Sequence, residues 1–358
     1  MSEPRPNRAG YRISFVRHGE SVANVRGVWQ GHGDAPLSAL GREQAAALGA
    51  RLAASKFDLV ESSDLARAFH TSQALGVPVV TNRAFREIDL GAWEGLTREE
   101  VAARFPDEVR ALKAGQAIRI GGAESWDDLY RRTKAAIEAL RARLEPGQHA
   151  VVFSHGGVVS TIFAALLGVR DRMPRSLGHV VNTAWSTARF DGSRVFIERY
   201  NDGTHHPSVY PWIGARFHDD DTILTHLAWP LDAPAPEKLP VALAERWLGQ
   251  VTRVYTAGEA LAPVGLRLAE SLGVPHVVDP AATARGLELG RTHPGTRILV
   301  VARPEDVRDA ATRALEPRGG PDIELALPAP WSLTHVVVAR FGAHLRDYSV
   351  GPMPINAG

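Results

Sequence analysis

Twice along this chain a short apolar run ends in a polar turn that holds a histidine and leads on toward a helical pattern. Arg12 to Val16 stop at Arg17-His18-Gly19, and Ser38 then caps a segment carrying Leu40, Leu48 and Leu52 at the repeat of a helix face. Ala150 to Phe153 stop at Ser154-His155-Gly156-Gly157 and run straight into the apolar segment Val158 to Gly168. Strand, loop and helix in alternation require parallel strands with crossover helices. The expected fold is therefore α/β, an open, mostly parallel sheet flanked by helices. In such sheets ligands bind beyond the carboxyl ends of the strands, where strand order reverses, and His18 and His155 are both placed there.

The length of 358 residues predicts two domains of ordinary size, and 44% hydrophobic with 23% charged residues matches a globular protein rather than a disordered or fibrous one. A formal net charge of +1 gives no signal for a nucleic acid or an anionic membrane as partner. The chain has no cysteine, which excludes disulfides, Cys-ligated zinc, iron–sulfur clusters and a thiol nucleophile. Its first ten residues lack the apolar core of a secretory signal, and the most apolar stretch, Val158 to Val169, is shorter than the ~20 residues of a membrane helix. A cytoplasmic protein with no membrane partner is expected.

Ser125 with Asp128 predicts a capping box opening a helix over Trp126 to Arg143. Thr183–Phe190 and Arg194–Tyr200 read as two strands joined by the turn Asp191-Gly192. The first domain is expected to close near residue 204, with a connector over 205–221 rich in Asp, His, Gly and Pro. His205, His206, His218 and Asp219-Asp220-Asp221 lie in or beside it. Their irregular spacing fits a solvated linker better than a metal site.

The second half, 222–358, repeats features of the first in order. Leu75-Gly76-Val77-Pro78 returns as Leu272-Gly273-Val274-Pro275, Pro146-Gly147 before a strand returns as Pro294-Gly295, and Ala188-Arg189-Phe190 returns as Ala339-Arg340-Phe341. A diverged duplicate is expected, degenerate in chemistry. Aligning Ile223-Leu224 with the first strand sets Leu227-Ala228-Trp229 against Arg17-His18-Gly19. Arg303 then falls opposite His155, Leu261 opposite Arg67 and Gly286 opposite Glu87.

The first half carries Arg17-His18-Gly19-Glu20-Ser21, Ser62-Ser63-Asp64-Leu65 with Arg67-Ala68, Arg86-Glu87-Ile88-Asp89, Trp93-Glu94-Gly95 and Ser154-His155-Gly156-Gly157, in that order over about residues 12–204. This series resembles the histidine phosphatase superfamily, the phosphoglycerate mutase-like family. The resemblance implies a metal-independent phosphomonoesterase acting on a small phosphorylated metabolite, with no cofactor. It assigns His18 as the nucleophile that becomes a phosphohistidine and Glu87 as general acid and base. It places Asn24 in the phosphate pocket, and Gln30 and Gly31 in the loop facing the substrate.

The residues also make chemical sense on their own. Phosphoryl transfer needs an in-line nucleophile, cations around the equatorial oxygens and a proton donor for the leaving group. A neutral His18 can attack, the planar forks of Arg17 and Arg67 match phosphate oxygens, and His155 can donate a charge-assisted hydrogen bond. The short stretch between Glu87 and His155 looks like the phosphatase-type form, with phosphoglycerate mutase-type transfer as the alternative. A non-catalytic phospho-ligand-binding or interaction protein is the alternative from another class. In the Gly121-Gly122-Ala123-Glu124-Ser125 turn, Ala123 departs from the family's glycine. Asp34 and Ser38 are expected to be structural, Trp93 and Trp126 to pack in the core, and Arg131-Arg132 and Arg170-Asp171-Arg172 to be solvated.

Overall fold

The computed structural model describes residues 10–169, 177–206, 208, 222–233, 251–315, 323–329, 331–339 and 342–350. Among them, β1 (Tyr11–Arg17), β2 (Leu59–Ser62), β3 (Val80–Thr81) and β4 (His149–Ser154) are parallel neighbours in the order β3-β2-β4-β1. The hairpin β5 (Trp185–Asp191) and β6 (Arg194–Asp202) adds antiparallel beyond β1. The turn is Gly192-Ser193 rather than Asp191-Gly192: Asp191 still pairs with Arg194 at the end of β5, and Gly192 takes φ 60 at the first turn position. Strand β5 begins two residues later than expected, because Thr183 is held at φ 54, outside the extended region.

The crossover helices form where their caps direct. Ser38 accepts from the Gly41 amide to open α2 (Ala39–Leu52), which follows the short α1 (Val22–Arg26). Next come α3 (Ala66–Ser72), α4 (Arg98–Arg104) and α5 (Pro106–Lys113). A Ser125–Asp128 capping box opens α6 (Trp126–Arg141), which buries Leu129, Thr133, Ala136 and Leu140, one face at helical spacing. Helix α7 (Gly156–Leu166) is apolar nearly all round and lies buried against the sheet.

The second half is also α/β. Its strands are β7 (Thr222–Ala228), β8 (Arg253–Thr256), β9 (His276–Val278), β10 (Arg297–Ala302), β11 (Ile323–Leu325), β12 (Leu333–Ala339) and β13 (Gly342–Val350). Its helices are α8 (Ala262–Leu272), α9 (Gly286–Thr292) and α10 (Pro304–Leu315). The sheet order β9-β8-β10-β7-β12-β13 matches β3-β2-β4-β1-β5-β6 strand for strand, with the same parallel and antiparallel senses. The halves join edge to edge through β6 and β13, where Tyr200 faces Tyr348, so that one sheet runs through the chain. One apolar layer continues across the join, from Phe15, Val152 and Ile197 to Leu224, Val300 and Leu345.

Register allows a residue-by-residue comparison. The last β1–β4 pair is Arg17↔Ser154 and the last β7–β10 pair is Ala228↔Ala302, which sets Trp229 against His18 and Arg303 against His155. The alignment expected from sequence is therefore shifted by one residue at the first strand. Counting onward from the last paired residues of β2 and β8, Ser62 and Thr256, gives Leu261 the position of Arg67, and counting from those of β3 and β9, Thr81 and Val278, gives Ala284 rather than Gly286 that of Glu87. The Ala-Arg-Phe match is out of register as well. Ala188 pairs with Ile13, and the residue paired with the equivalent Leu224 is Val336, three positions before Ala339. Arg340 and Phe341 lie outside the described residues, as do Arg170-Asp171-Arg172, His218 and Asp219-Asp220-Asp221. No helix among the described residues is long and apolar enough to cross a membrane.

Candidate active site

Because β1 and β4 are adjacent and in register, the residues that follow them, His18 and His155, stand side by side at the carboxyl edge, their ring centroids 5.2 Å apart. His18 is buried, and its Nδ1 lies 2.6 Å from the Gly19 carbonyl. With the proton on Nδ1 in that bond, the lone pair is on Nε2. Burial, then the positive charges of Arg67 and Arg17, hold the His18 pKa well below the ordinary imidazole value, so the ring is neutral at physiological pH. A buried, neutral imidazole beside two guanidinium groups is a nucleophile prepared for an anionic electrophile.

Arg67 enters from the first turn of α3, just beyond β2, and is 1% exposed. Its Nη1 and Nη2 donate to the carbonyls of Gly33 and Gly31, at 2.6 and 2.9 Å. Burial lowers its pKa to about 10, which leaves it charged at neutral pH. Arg17, the last residue of β1, donates to the Val180 carbonyl at 2.6 Å and lies 3.0 Å from His179 Nε2. The His155 ring is fully buried, with Nε2 2.9 Å from Ser63 Oγ. Burial and the nearby cations, Arg67 first, depress its pKa well below the ordinary value. Among the described residues, Arg67 Nε and His155 Nδ1 are buried polar atoms without a hydrogen-bond partner. At a strand edge where two guanidinium groups and two histidines converge, these atoms are free to take an oxyanion, which would relieve the cost of leaving them unpaired.

Glu87 closes the site from the loop after β3. Its carboxylate accepts from the Gly157 amide at 3.0 Å, at the amino end of α7. A Cβ on Gly157 would stand 2.3 Å from that carboxylate, which explains the glycine after His155-Gly156. The five residues His18, Arg17, Arg67, Glu87 and His155 are thus brought together from β1, β2, β3 and β4 and their following loops.

The lesser candidates divide. Asn24 Oδ1 accepts from the Ser21 amide in the capping box of α1, and Asn182 Nδ2 donates to the His18 carbonyl close by. Gln30 Oε1 accepts from Ser21 Oγ. Gly31, at φ 50 and buried, serves Arg67 through its carbonyl, and a Cβ there would meet the Glu94 carboxylate. Asp34 caps the Ala66 amide and Trp93 is buried in the core, in keeping with structural roles. His205 is not simply solvated. Its Nε2 lies 2.9 Å from Thr183 Oγ1, and burial lowers its pKa to about 4. No group of three or more His, Asp or Glu among the described residues could hold a metal ion.

Two further site residues were given no role from sequence, although Ser63 lies in the Ser62-Ser63-Asp64-Leu65 block. Ser63 orients His155, as given above. Arg132, expected to be solvated, turns inward instead. It donates to the carbonyls of Ala84, Arg86 and Glu87 and pairs with Glu124, so it fixes the loop that carries Glu87. A signal existed: Arg132 sits three residues after buried Leu129 and one before buried Thr133, on the inward face of α6, whereas Arg131 points out to Asp128.

A neutral histidine flanked by two arginines, a second histidine and a carboxylate defines an enzyme that handles phosphoryl groups. The chain belongs to the histidine phosphatase superfamily (branch 1), whose family model matches residues 13–203. It is 34% identical over 203 residues to phosphoglycerate mutase-like protein 4 of Arabidopsis thaliana, covering 54% of this chain and 86% of that protein. It is 31% identical over 204 residues to phosphoserine phosphatase 1 of Hydrogenobacter thermophilus, covering 56% and 96%. Against glucosyl-3-phosphoglycerate phosphatase of Mycolicibacterium vanbaalenii the identity is 36% over 185 residues, covering 49% and 82%. The protein is a phosphatase of the phosphohistidine type.

Proposed function

We propose that the protein hydrolyses a small phosphomonoester at this site, with His18 as nucleophile. His18 Nε2 attacks phosphorus, the P–N bond forms as the P–O bond breaks, and Glu87 gives its proton to the departing oxygen. Water then attacks the phosphohistidine, Glu87 takes the water proton, and phosphate leaves as the P–N bond breaks. Arg17, Arg67 and His155 hold the equatorial oxygens and stabilise their charge in both steps. The observation that carries this reading is the neutral His18 ring, Nδ1 tied to the Gly19 carbonyl, between two buried guanidinium groups. Asn24, Gln30 and Gly31 form the rim on the substrate side.

Two of the three named relatives are phosphatases of phosphoserine and of glucosyl-3-phosphoglycerate, which share a phosphomonoester on a small polar, carboxylate-bearing body. A substrate of that class is our expectation here. Turnover of p-nitrophenyl phosphate without added metal, followed by phosphate release from a panel of phosphorylated metabolites, tests it. Rapid quenching in acid and in base should reveal an acid-labile, base-durable phosphoenzyme. Label that persists in His18→Ala would overturn the nucleophile.

We further propose that 222–358 is a diverged copy of 1–204, joined through 205–221, that has no catalytic site. The shared strand order supports it. So do backbone details that selection for function has no reason to repeat. The Asn82 side chain caps the Ala84 amide as Asp279 caps that of Ala281, and the His18 amide donates to Ser154 as the Trp229 amide does to Ala302. Thr183 and Trp331, each two residues before the equivalent strands β5 and β12, take φ 54 and 59. The register leaves Ala228, Trp229, Leu261, Ala284 and Arg303 where the five functional residues would stand. Turnover retained by His18→Ala in the full chain would refute a silent second half.

A further inference from the structure

The two halves do more than share a sheet edge. Each sends a short segment across the join to the other. Leu177 of the first half pairs in parallel with Leu345 on β13, and the Gly178 amide donates to the Leu345 carbonyl at 2.8 Å. In return Leu325 pairs with Ile197 on β6, and the Ala326 amide donates to the Ile197 carbonyl at 3.0 Å. Tyr200 donates its hydroxyl to the Gly178 carbonyl, and Tyr348 to that of Ala326. The exchange is reciprocal, residue for residue.

Its consequences are not. One residue past Gly178, His179 Nε2 lies 3.0 Å from Arg17 Nη1, and the next carbonyl, Val180, accepts from the same atom at 2.6 Å. Asn201 tightens the segment, donating to the His179 carbonyl and accepting from the Val181 amide. The path from β13 of the second half to the guanidinium of Arg17 is therefore a few bonds long: it runs along the 177–180 backbone to the buried Val180 carbonyl, with the exposed His179 ring as a second contact. On the mirrored side the position of Arg17 is Ala228, which has nothing to aim.

We propose that the second half is a positioning device for the reaction of the first: β13 braces residues 177–180, and these hold the Arg17 fork in the geometry that grips phosphate. The proposal rests on the reading of Arg17 as a phosphate ligand given above. A phosphate-binding group displaced by about 1 Å can lose on the order of a hundredfold in rate, so a brace at this point is worth having. Gly178, Tyr200 and Asn201 are positioning residues.

The mirrored contacts supply the control, all in the full chain. Gly178→Pro removes the donor to Leu345, and Ala326→Pro removes its counterpart. Should either proline variant fail to fold, Tyr200→Phe and Tyr348→Phe form a milder pair. Inorganic phosphate affinity by calorimetry is read beside kcat and KM for p-nitrophenyl phosphate and the urea midpoint. We expect Gly178→Pro to weaken phosphate binding and kcat/KM about tenfold, and Tyr200→Phe about threefold, with Ala326→Pro and Tyr348→Phe leaving both within twofold at similar cost in stability. In an Arg17→Ala background the first two should cause no further loss, because their effect passes through that side chain. Equal losses with and without Arg17, or equal effects from the mirrored variants, overturn the brace. A wild-type chain that binds phosphate without turning over any ester would overturn the proposed reaction and leave the brace standing on its binding data.

Discussion

At the carboxyl edge of β1 and β4 the chain buries His18, His155 and Arg67; at the equivalent edge of β7 and β10 it buries Trp229 and Leu261. The strand pairing is the same in both places, down to the amide that follows each first strand. Trp229 and Leu261 belong to an apolar cluster with Leu227, Val264 and Val301, so this edge of the second half is core. The first half keeps polar groups in that position at the cost of desolvation, without the compensation that apolar packing supplies. The difference teaches that the strand ladder defines the fold, while the chemistry depends on a few side chains just beyond the strand ends.

The widest separation between the halves should come from truncating the residue at that shared position. His18→Ala should cut turnover at least about a thousandfold while leaving the urea midpoint unchanged or raised, since it deletes a buried polar ring. Trp229→Ala should do the reverse, costing roughly 3–5 kcal/mol in unfolding free energy with kcat/KM per folded molecule preserved. If both variants lose activity and stability alike, the contrast between site and core is wrong.

A smaller effect is expected from Glu87→Gln. Single-turnover phosphorylation by an alkyl phosphate should slow by about a hundredfold or more, and that by p-nitrophenyl phosphate should hardly change, because nitrophenolate leaves without a proton. Arg132→Met should follow the same leaving-group pattern at about tenfold, with partial rescue in Arg132→Lys, if it acts by holding the loop of Glu87. A uniform loss across leaving groups would make Arg132 merely structural.

The smallest effect sharpens the comparison inside the core. Register sets His226 of β7 opposite Phe15 of β1. Phe15 packs edge-on against Phe163, whereas His226 borders a cavity of about 40 Å³ lined also by Leu224, Thr283, Ala310 and Arg313. Burial, then the neighbouring His335, lowers the His226 pKa to about 4, with the Thr334 carbonyl opposing and Arg313 adding to the shift. The unfolded chain takes up this proton near pH 6.5 and the folded chain only near pH 4. Stability is therefore present above pH 6.5 and lost as the pH falls toward 4. His226→Phe should raise the unfolding free energy by roughly 1–2 kcal/mol at neutral pH and flatten that acid slope. Turnover, which under the proposed mechanism needs a neutral His18, should persist below pH 6.5 in both proteins, because His18 is shifted in the same direction.

Much of the first half was legible because two kinds of signal coincide there. Apolar runs ending in His18 and His155 mark strand ends, and ordered motif blocks mark the groups a phosphate needs. Ser63 stands inside one of the ordered motif blocks and Arg132 on the inward face of α6, yet neither was given a role, because their work is done through other residues, on the ring of His155 and on the loop of Glu87. The second half was legible in outline and misaligned in detail. Ala-Arg-Phe recurs in sequence, yet pairing register is decided by neighbouring strands and turn lengths, so the tripeptide stands three residues out of register. The crossed segments at 177–178 and 325–326 had no sequence signal at all, since a strand's edge partner is chosen by the assembled sheet.

The reciprocal exchange between Leu177 and Leu345, and between Leu325 and Ile197, has the form of a two-fold symmetric contact between identical subunits. Here both partners are on one polypeptide. Their encounter is intramolecular, so dilution cannot separate them as it separates a dimer. A dimer of identical chains must also carry every substitution twice, once at each site. Under the duplication proposed above, tandem linkage lifts that constraint, and one member can exchange reactive groups for indole and leucine while the other keeps its histidines.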